Sequence, residues 1–225
     1  MNASPDRDVD PVHRPGAAKV RGAEASLRPV DWWGFPALLK EREAKGYRPK
    51  ALDERLRHER TRTEARLLVE ARRLGIRTPI IYDLDLTRHR ILLEELPGPT
   101  LKELLERPAV DLMELTKSVE AFGRVLGRLH AGGVAHGDLT SSNVLFPAGS
   151  AAPPALIDLS MGTKGAGLEE LGIDLHLVEE DLRSLHPKGE ELLVAFYRGY
   201  LEANATSGRD VRARAQAIRG RIRYA

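Results

Sequence analysis

The sequence predicts an α+β chain built as two lobes, a small strand-rich front lobe followed by a helical back lobe. Three observations carry this. Short apolar runs that suit strands fill the N-terminal part, at residues 19–27, 35–40, 79–83 and 90–94, and one long helical pattern, Leu52 to Leu74, interrupts them. A Pro/Gly break at Glu95-Leu96-Pro97-Gly98-Pro99 closes that region. Beyond the break, apolar residues step by three and four, the period of buried helices. The expected divisions are an N-terminal tail at 1–18, a front lobe at 19–96, a back lobe at 97–207 and a basic C-terminal tail at 208–225.

Composition sets the outer limits. The chain has 225 residues, 42% of them hydrophobic and 30% charged, which suits a soluble protein with a real core; the net charge of +2 says little by itself. It has no cysteine, which excludes disulfides and thiolate metal sites. No apolar run approaches ~20 residues, and Met1 to Gly16 lacks the apolar stretch of a signal peptide, so a cytoplasmic protein is expected.

In chain order, residues 1–18 are rich in Asp, Pro, Arg and Gly without periodicity and read as a disordered tail. Lys19 to Leu27 reads as strand, turn and strand start. A flap over nucleotide phosphates is one reading and a simple hairpin the other; the single Gly22 falls short of a glycine-rich loop. Trp32-Trp33-Gly34 has no assigned role. Phe35 to Lys40 reads as a strand ending in a lysine. The Leu52–Leu74 helix repeats Leu56, Thr63, Leu67 and Leu74, carries Glu64, and stops at Gly75 and Thr78-Pro79. Its arginines (Arg55, Arg57, Arg60, Arg62, Arg66) form either a solvated face or a basic face for RNA or an acidic partner. Thr100 and Glu103 make a capping box, as do Asp111 and Glu114. Leu112, Leu115, Val119, Phe122, Leu126 and Leu129 then mark a buried helix ended by Gly132-Gly133.

The chemistry concentrates in His136-Gly137-Asp138, Asn143 and Asp158. An aspartate, an asparagine five positions on and a second aspartate after a short strand is the arrangement of a base and Mg²⁺ ligands in a protein kinase. Mg²⁺ takes hard oxygen donors, which the amide of Asn143 and the carboxylate of Asp158 supply. Asp138 is then free to orient a hydroxyl or water and take its proton. On this pattern Lys40 holds the nucleotide phosphates, with Glu64 as its counter-charge; without the loop, Glu64 reads as one more surface charge. Arg21, Gly22, Ala23 and Glu24 lie in the flap, and backbone groups near Glu94 and Leu96 face adenine. Leu159-Ser160 stands where the kinase triplet has Phe-Gly, and no A-P-E motif follows before Asp174, which argues against a broad peptide-directed kinase. Asp174 either caps the catalytic loop from below or opens the helix expected from Ile173 to Leu185. A further amphipathic helix is expected from Glu191 to Ala203. The arginine-rich end either contacts a phosphate backbone or folds over the site mouth.

The set Gly22 to Ala25, Lys45 to Arg48 (K-G-Y-R), Leu52 to Arg55, Arg60 to Leu68, Glu94 to Thr100, His136 to Asn143 (H-G-D-L-T-S-S-N), Asp158, Ile173 to Pro187 and Arg219-Gly220-Arg221 resembles the small atypical kinase of the KEOPS complex, the Bud-thirty-two type. The resemblance runs from about Arg21 to Arg223. It implies a reduced bilobal protein-kinase-like fold without an activation segment, in the stand-alone archaeal-like form. It implies binding of ATP and Mg²⁺, self- or serine/threonine phosphorylation and ATPase activity. It also implies a place in N6-threonylcarbamoyladenosine (t6A) modification of tRNA. The partners it implies are a threonylcarbamoyl transferase subunit, a small subunit docked on the front lobe, and tRNA at Arg219, Arg221 and Arg223. Carried over by motif, Lys40 and Glu64 anchor phosphates, Asp138 is the base, and Asn143 and Asp158 hold metal. Two other readings compete. A small-molecule phosphotransferase of the aminoglycoside-kinase type shares the H-G-D and later Asn, but little chain remains after Asp158 for its larger helical lobe. A non-catalytic RNA-binding or scaffold module leaves the joint presence of Lys40, Asp138, Asn143 and Asp158 without a reason.

Overall fold

In a computed structural model of the chain the described residues are 11–14, 20–21, 24–107, 110–147 and 153–222, with Val12, His13, Val20, Arg21 and Ile222 described by their backbones alone. The expectations for Gly22, Ala23, Arg223, the Arg21 side chain and most of the N-terminal tail lie outside them. The α+β expectation is met, with a small sheet first and helices after it. The chain divides into two compact units, one holding residues up to Thr61 with Ile80–Glu95 and the other Arg62–Pro79 with Leu96 onward.

The first unit is an antiparallel sheet of β1 (Val12–His13), β2 (Val20–Arg21), β3 (Ser26–Trp32), β4 (Phe35–Glu41), β5 (Ile81–Asp85) and β6 (Arg90–Glu94). Its order is β1-β3-β4-β6-β5, with β2 also on β3. Trp33 and Gly34 form the two-residue turn of the β3–β4 hairpin, with φ of 54° and 82°. Positive φ at both central positions matches the right-handed strand twist, which explains Trp32-Trp33-Gly34. The Gly34 N–H donates to Asp31 Oδ1 at 2.9 Å and closes the turn. Val30, Ala37, Leu39 and Leu92 form a core cluster, with Trp32 and Tyr82 packed on it. Because side chains alternate along a strand, Lys40 points to the face opposite Ala37 and Leu39.

Helix α1 (Lys50–Arg73) contributes to both units. It stops at Gly75, whose φ of 74° suits a residue without a Cβ. Its buried face is Asp53, Thr61, Glu64, Leu68 and Ala71, joined by Ala65 and Leu67. The stripe expected from sequence has the wrong phase: of Leu56, Thr63, Leu67 and Leu74 only Leu67 is buried. The physical reason is that the inner face of the first three turns is polar. Arg57 Nε donates to Asp53 Oδ2 at 2.8 Å and the Thr61 hydroxyl donates to Arg57 O at 2.7 Å, so apolar periodicity does not mark that face.

Beyond Leu96 the second unit continues with α2 (Leu101–Glu106), where the expected capping box forms in both directions between Thr100 and Glu103. Helix α3 (Leu112–Ala131) has Asp111 at its N-cap, but Asp111 makes no side-chain cap bond, so the second expected box does not form. Helices α4 (Leu168–Leu185), α5 (Gly189–Ala203) and α6 (Gly208–Ile222) complete the unit. Helix α4 starts five residues before the expected Ile173, because Glu170 accepts the Gly167 N–H at 3.0 Å and starts the helix there. Helices α3 and α5 pack closely enough that a Cβ on Gly123 would meet Phe196 O at 2.1 Å and one on Gly199 would meet Glu120 O at 2.1 Å. Within the basic C-terminal stretch, Gly208–Ile222 form the helix α6. Val211, Ala215 and Ile218 bury a seam at helical spacing, while the flanking arginines hide that seam in the sequence.

Candidate active site

The loop between β7 (Val134–Ala135) and β8 (Val144–Leu145) is built from the backbone outward. Gly137 has φ of 81°, and a Cβ there would meet Met161 O at 2.1 Å, so only glycine fits between His136 and Asp138. Asp138 is solvent-exposed, while its neighbours His136 and Leu139 are fully buried and pin the turn. Thr140 N donates to Asp138 O at 3.0 Å and Asn143 N to Thr140 O at 2.9 Å, which winds Ser141–Asn143 into a 3₁₀ turn. Asn143 Nδ2 donates to Asp138 O at 2.8 Å. That bond leaves the Asn143 amide oxygen as the atom offered to a cation.

Asp158 follows β9 (Ala155–Leu156), the strand paired with β8. The Ile157 N–H donates to Asn143 O at 3.1 Å, so Asp158 leaves the strand beside Asn143. The structure therefore brings Asp138, Asn143 and Asp158 together. Asp158 has φ of 56°, in the left-handed region where Asp is among the few side chains that sit readily. Leu159 is fully buried, so an apolar contact follows the aspartate with Leu in place of Phe. No group of three or more His, Cys, Asp or Glu suited to a metal occurs among the described residues. One carboxylate and one amide oxygen nevertheless fit Mg²⁺, which binds through one or two carboxylates and completes its shell with water and phosphate oxygens.

Asp174 holds this loop. It lies in the second turn of α4 and is 0% exposed. Its Oδ2 accepts the His136 N–H at 2.6 Å and its Oδ1 the Gly137 N–H at 2.9 Å. The His130 Nε2 lies 3.2 Å from Oδ2, and its Nδ1 lies 2.9 Å from the Tyr200 hydroxyl. Of the two readings of Asp174, the cap of the loop that carries Asp138 is the one found. Seven residues on, Asp181 Oδ2 accepts the Ser141 N–H at 2.6 Å. Two carboxylates two turns apart on α4 thus satisfy three loop N–H groups. Asp181 escaped sequence reading because an acid on an amphipathic helix looks like surface charge. Its one signal is the seven-residue spacing from Asp174. His136 Nε2 donates to Ile157 O at 3.0 Å and ties the loop to the strand before Asp158.

Lys40 pairs with Leu27 on β3 and Ile91 on β6 and is 5% exposed. Glu64 is 0% exposed on α1, in the second unit. A buried charge is costly unless paired or hydrogen-bonded, and each of these is engaged by other groups. Glu24 is held by Arg48 at 3.2 Å and by Arg60, which fastens the end of the expected flap to α1 and the K-G-Y-R segment. The Glu94 N–H donates to Ile80 O at 2.8 Å and its carboxylate accepts the Ile80 N–H at 3.1 Å, so that N–H is committed to the sheet and not to a base. Leu96 is buried at the start of the second unit. Arg221 bonds Glu169 at 2.7 Å and Arg219 lies 3.6 Å from Glu179.

No family model matches the chain. It is 40% identical over 212 residues, 94% of its length, to a bifunctional tRNA threonylcarbamoyladenosine biosynthesis protein of Methanosarcina mazei, of which that stretch is 36%. A protein of the same name from Halobacterium salinarum is 39% identical over 215 residues, 95% of this chain and 37% of the relative. The chain spans about a third of the length of these relatives. Among solved structures it is similar to the Rio2 kinase of Chaetomium thermophilum in an ADP/Mg²⁺-phosphoaspartate complex, with a TM-score of 0.60, 14% identity and coverage of 93% of this chain and 71% of that one. At that identity the likeness speaks to fold alone. The resemblance read from the motifs is borne out: the chain has the protein-kinase-like fold and is a homologue of a segment of the bifunctional tRNA threonylcarbamoyladenosine biosynthesis proteins.

Proposed function

We propose that this chain is an ATP- and Mg²⁺-dependent atypical serine/threonine kinase and ATPase that serves t6A modification of tRNA within a cytoplasmic KEOPS complex. The observation that carries this reading is the loop geometry: Asn143 Nδ2 bonds Asp138 O at 2.8 Å, and Ile157 N bonds Asn143 O at 3.1 Å, next to Asp158. Bound Mg²⁺ supplies neutralisation of phosphate oxygens. In this reading Asn143 and Asp158 present the metal-binding oxygens. Asp138, exposed and held by its own backbone, orients the attacking hydroxyl or water and accepts its proton. Lys40 holds the nucleotide phosphates, with Glu64 as its counter-charge. Arg21 to Glu24 cover the phosphates, and backbone groups near Glu94 and Leu96, other than the Glu94 N–H, meet the adenine. No helix among the described residues is long and apolar enough to cross a membrane, which suits the cytoplasmic assignment.

The partners in this reading are a threonylcarbamoyl transferase subunit, a small subunit on the front lobe, and tRNA at Arg219, Arg221 and Arg223. The name of the relatives, a bifunctional tRNA threonylcarbamoyladenosine biosynthesis protein, supports a joint action with a second activity. The test is ATP hydrolysis with Mg²⁺, with and without the transferase subunit and tRNA. Turnover that rises at least several-fold with both supports an ATPase working in the complex. Turnover indifferent to both, with label passing to an added small alcohol, supports a small-molecule phosphotransferase in its place.

A further inference from the structure

The second half of α1 carries positive charge that the fold does not use. Arg62 and Arg66 are exposed on one face of the helix, about 6 Å apart along its axis. Neither lies within ion-pair distance of a carboxylate among the described residues. One turn before Arg62, Glu59 lies 3.9 Å from Arg55, and one turn after Arg66 comes Glu70. It is already shared by Lys164 at 3.0 Å and Arg73 at 2.8 Å, and these two cations hold its carboxyl below the usual range, Lys164 first. Arg73 and Lys164 thus share one carboxylate, and Arg62 and Arg66 precede it on the same helix. Like charges four residues apart on a helix weaken it by roughly 0.2–0.5 kcal/mol. Among the described residues the Arg62/Arg66 pair makes no ion pair that would offset this repulsion.

The patch adjoins the catalytic loop within the same unit. Lys164 lies on β10 (Thr163–Lys164), which pairs with β7 immediately before His136. Just ahead of β10, a Cβ on Gly162 would meet Leu67 Cδ1 of α1 at 2.6 Å, and the Met161 carbonyl is what a Cβ on Gly137 would strike. A polyanion lying along α1 would therefore pass the rim of the loop that holds Asp138.

We infer that Arg62 and Arg66, with Arg73 and Lys164, form a docking strip for the phosphate backbone of RNA. Guanidinium forks match phosphate oxygens. The exposed apolar residues along this edge are Val69 and Met161, without the aromatic centre typical of a protein-binding hot spot. The strip is separate from the arginines of α6, and the inference shares with the proposed function only the premise that RNA is a partner.

The test is binding of an in vitro transcribed tRNA, read by fluorescence anisotropy across a salt series. It compares wild type, Arg62→Glu/Arg66→Glu, and a control of equal charge change on exposed residues elsewhere, Arg107→Glu/Lys117→Glu. The α1 variant is expected to bind about tenfold or more weaker near 0.1 M salt. Its slope of log K against log salt is expected to fall by roughly 0.9 for each phosphate it no longer neutralises, and the control is expected to keep the wild-type slope. Arg62→Gln/Arg66→Gln adds no negative charge and must lower the slope as well. An unchanged slope in that variant overturns the inference, as does an equal weakening in the control or equal competition by poly-glutamate. ATP turnover without RNA, measured on the same samples, separates this result from the catalytic reading: RNA-free protein that hydrolyses no ATP counts against the catalytic reading and leaves the strip standing.

Discussion

Asp174 is the residue on which the loop carrying Asp138 rests. Its two oxygens take two backbone N–H groups and face the His130 ring; the bonds to His136 and His130 are buried and the one to Gly137 partly so. Asp174→Asn keeps the size but turns one acceptor into a donor, leaving a loop N–H unpaired at about 1–3 kcal/mol. Denaturant unfolding should show that destabilisation, and turnover should fall with it. An unchanged midpoint would contradict the role given to Asp174. The same scale shows what the sequence makes readable. Asp138, Asn143 and Asp158 are legible from spacing because each is fixed by a short local connection. Asp174 is ambiguous in sequence because its role depends on where α4 begins. Asp181 is invisible there because its partner, the Ser141 N–H, is forty residues away in the chain.

At the scale of elements, α5 and α4 are tied to the loop by buried polar groups. Asn204 Nδ2 donates to the Tyr200 hydroxyl at 3.3 Å, and that hydroxyl meets His130, which reaches Asp174. On the other side of α4, the Tyr197 hydroxyl donates to Glu179. Burial first, and then the bond to Glu179, push the Tyr197 hydroxyl well above its usual range; burial does the same for Tyr200. The folded chain keeps both protonated, whereas the unfolded chain releases those protons near the ordinary value of 10.0. Their contribution is therefore fully present below that pH and is lost as the pH rises through the folded values. Alkaline unfolding curves should show stability falling above about pH 10, with a shallower fall in Tyr200→Phe. Equal slopes in the two proteins would remove Tyr200 as a cause. Helix boundaries are legible in sequence where a cap is local, as at Thr100 and Glu103. The phase of α1 and the existence of α6 are not, because the inner face of one is polar and the seam of the other is flanked by arginine.

For the whole molecule, the sheet of the first unit presents Lys40, and the helices of the second hold the loop from beneath. The front sheet is legible from its short apolar runs and turn residues. The Trp33-Gly34 turn is not, because a tryptophan at positive φ breaks the expectation that such turns use Asn or Asp. The chain spans about a third of the length of its relatives, whose name joins two activities. The central claim is narrower: Asp138 acts in phosphoryl transfer and does not support the fold. The most direct measurement is Mg²⁺-dependent ATP turnover of wild type beside Asp138→Ala, with the melting temperature of each. The exposed side chain predicts an almost unchanged melting temperature, and its place in the loop predicts turnover lowered by at least about 10². A variant that melts like wild type and hydrolyses ATP equally well would contradict the account.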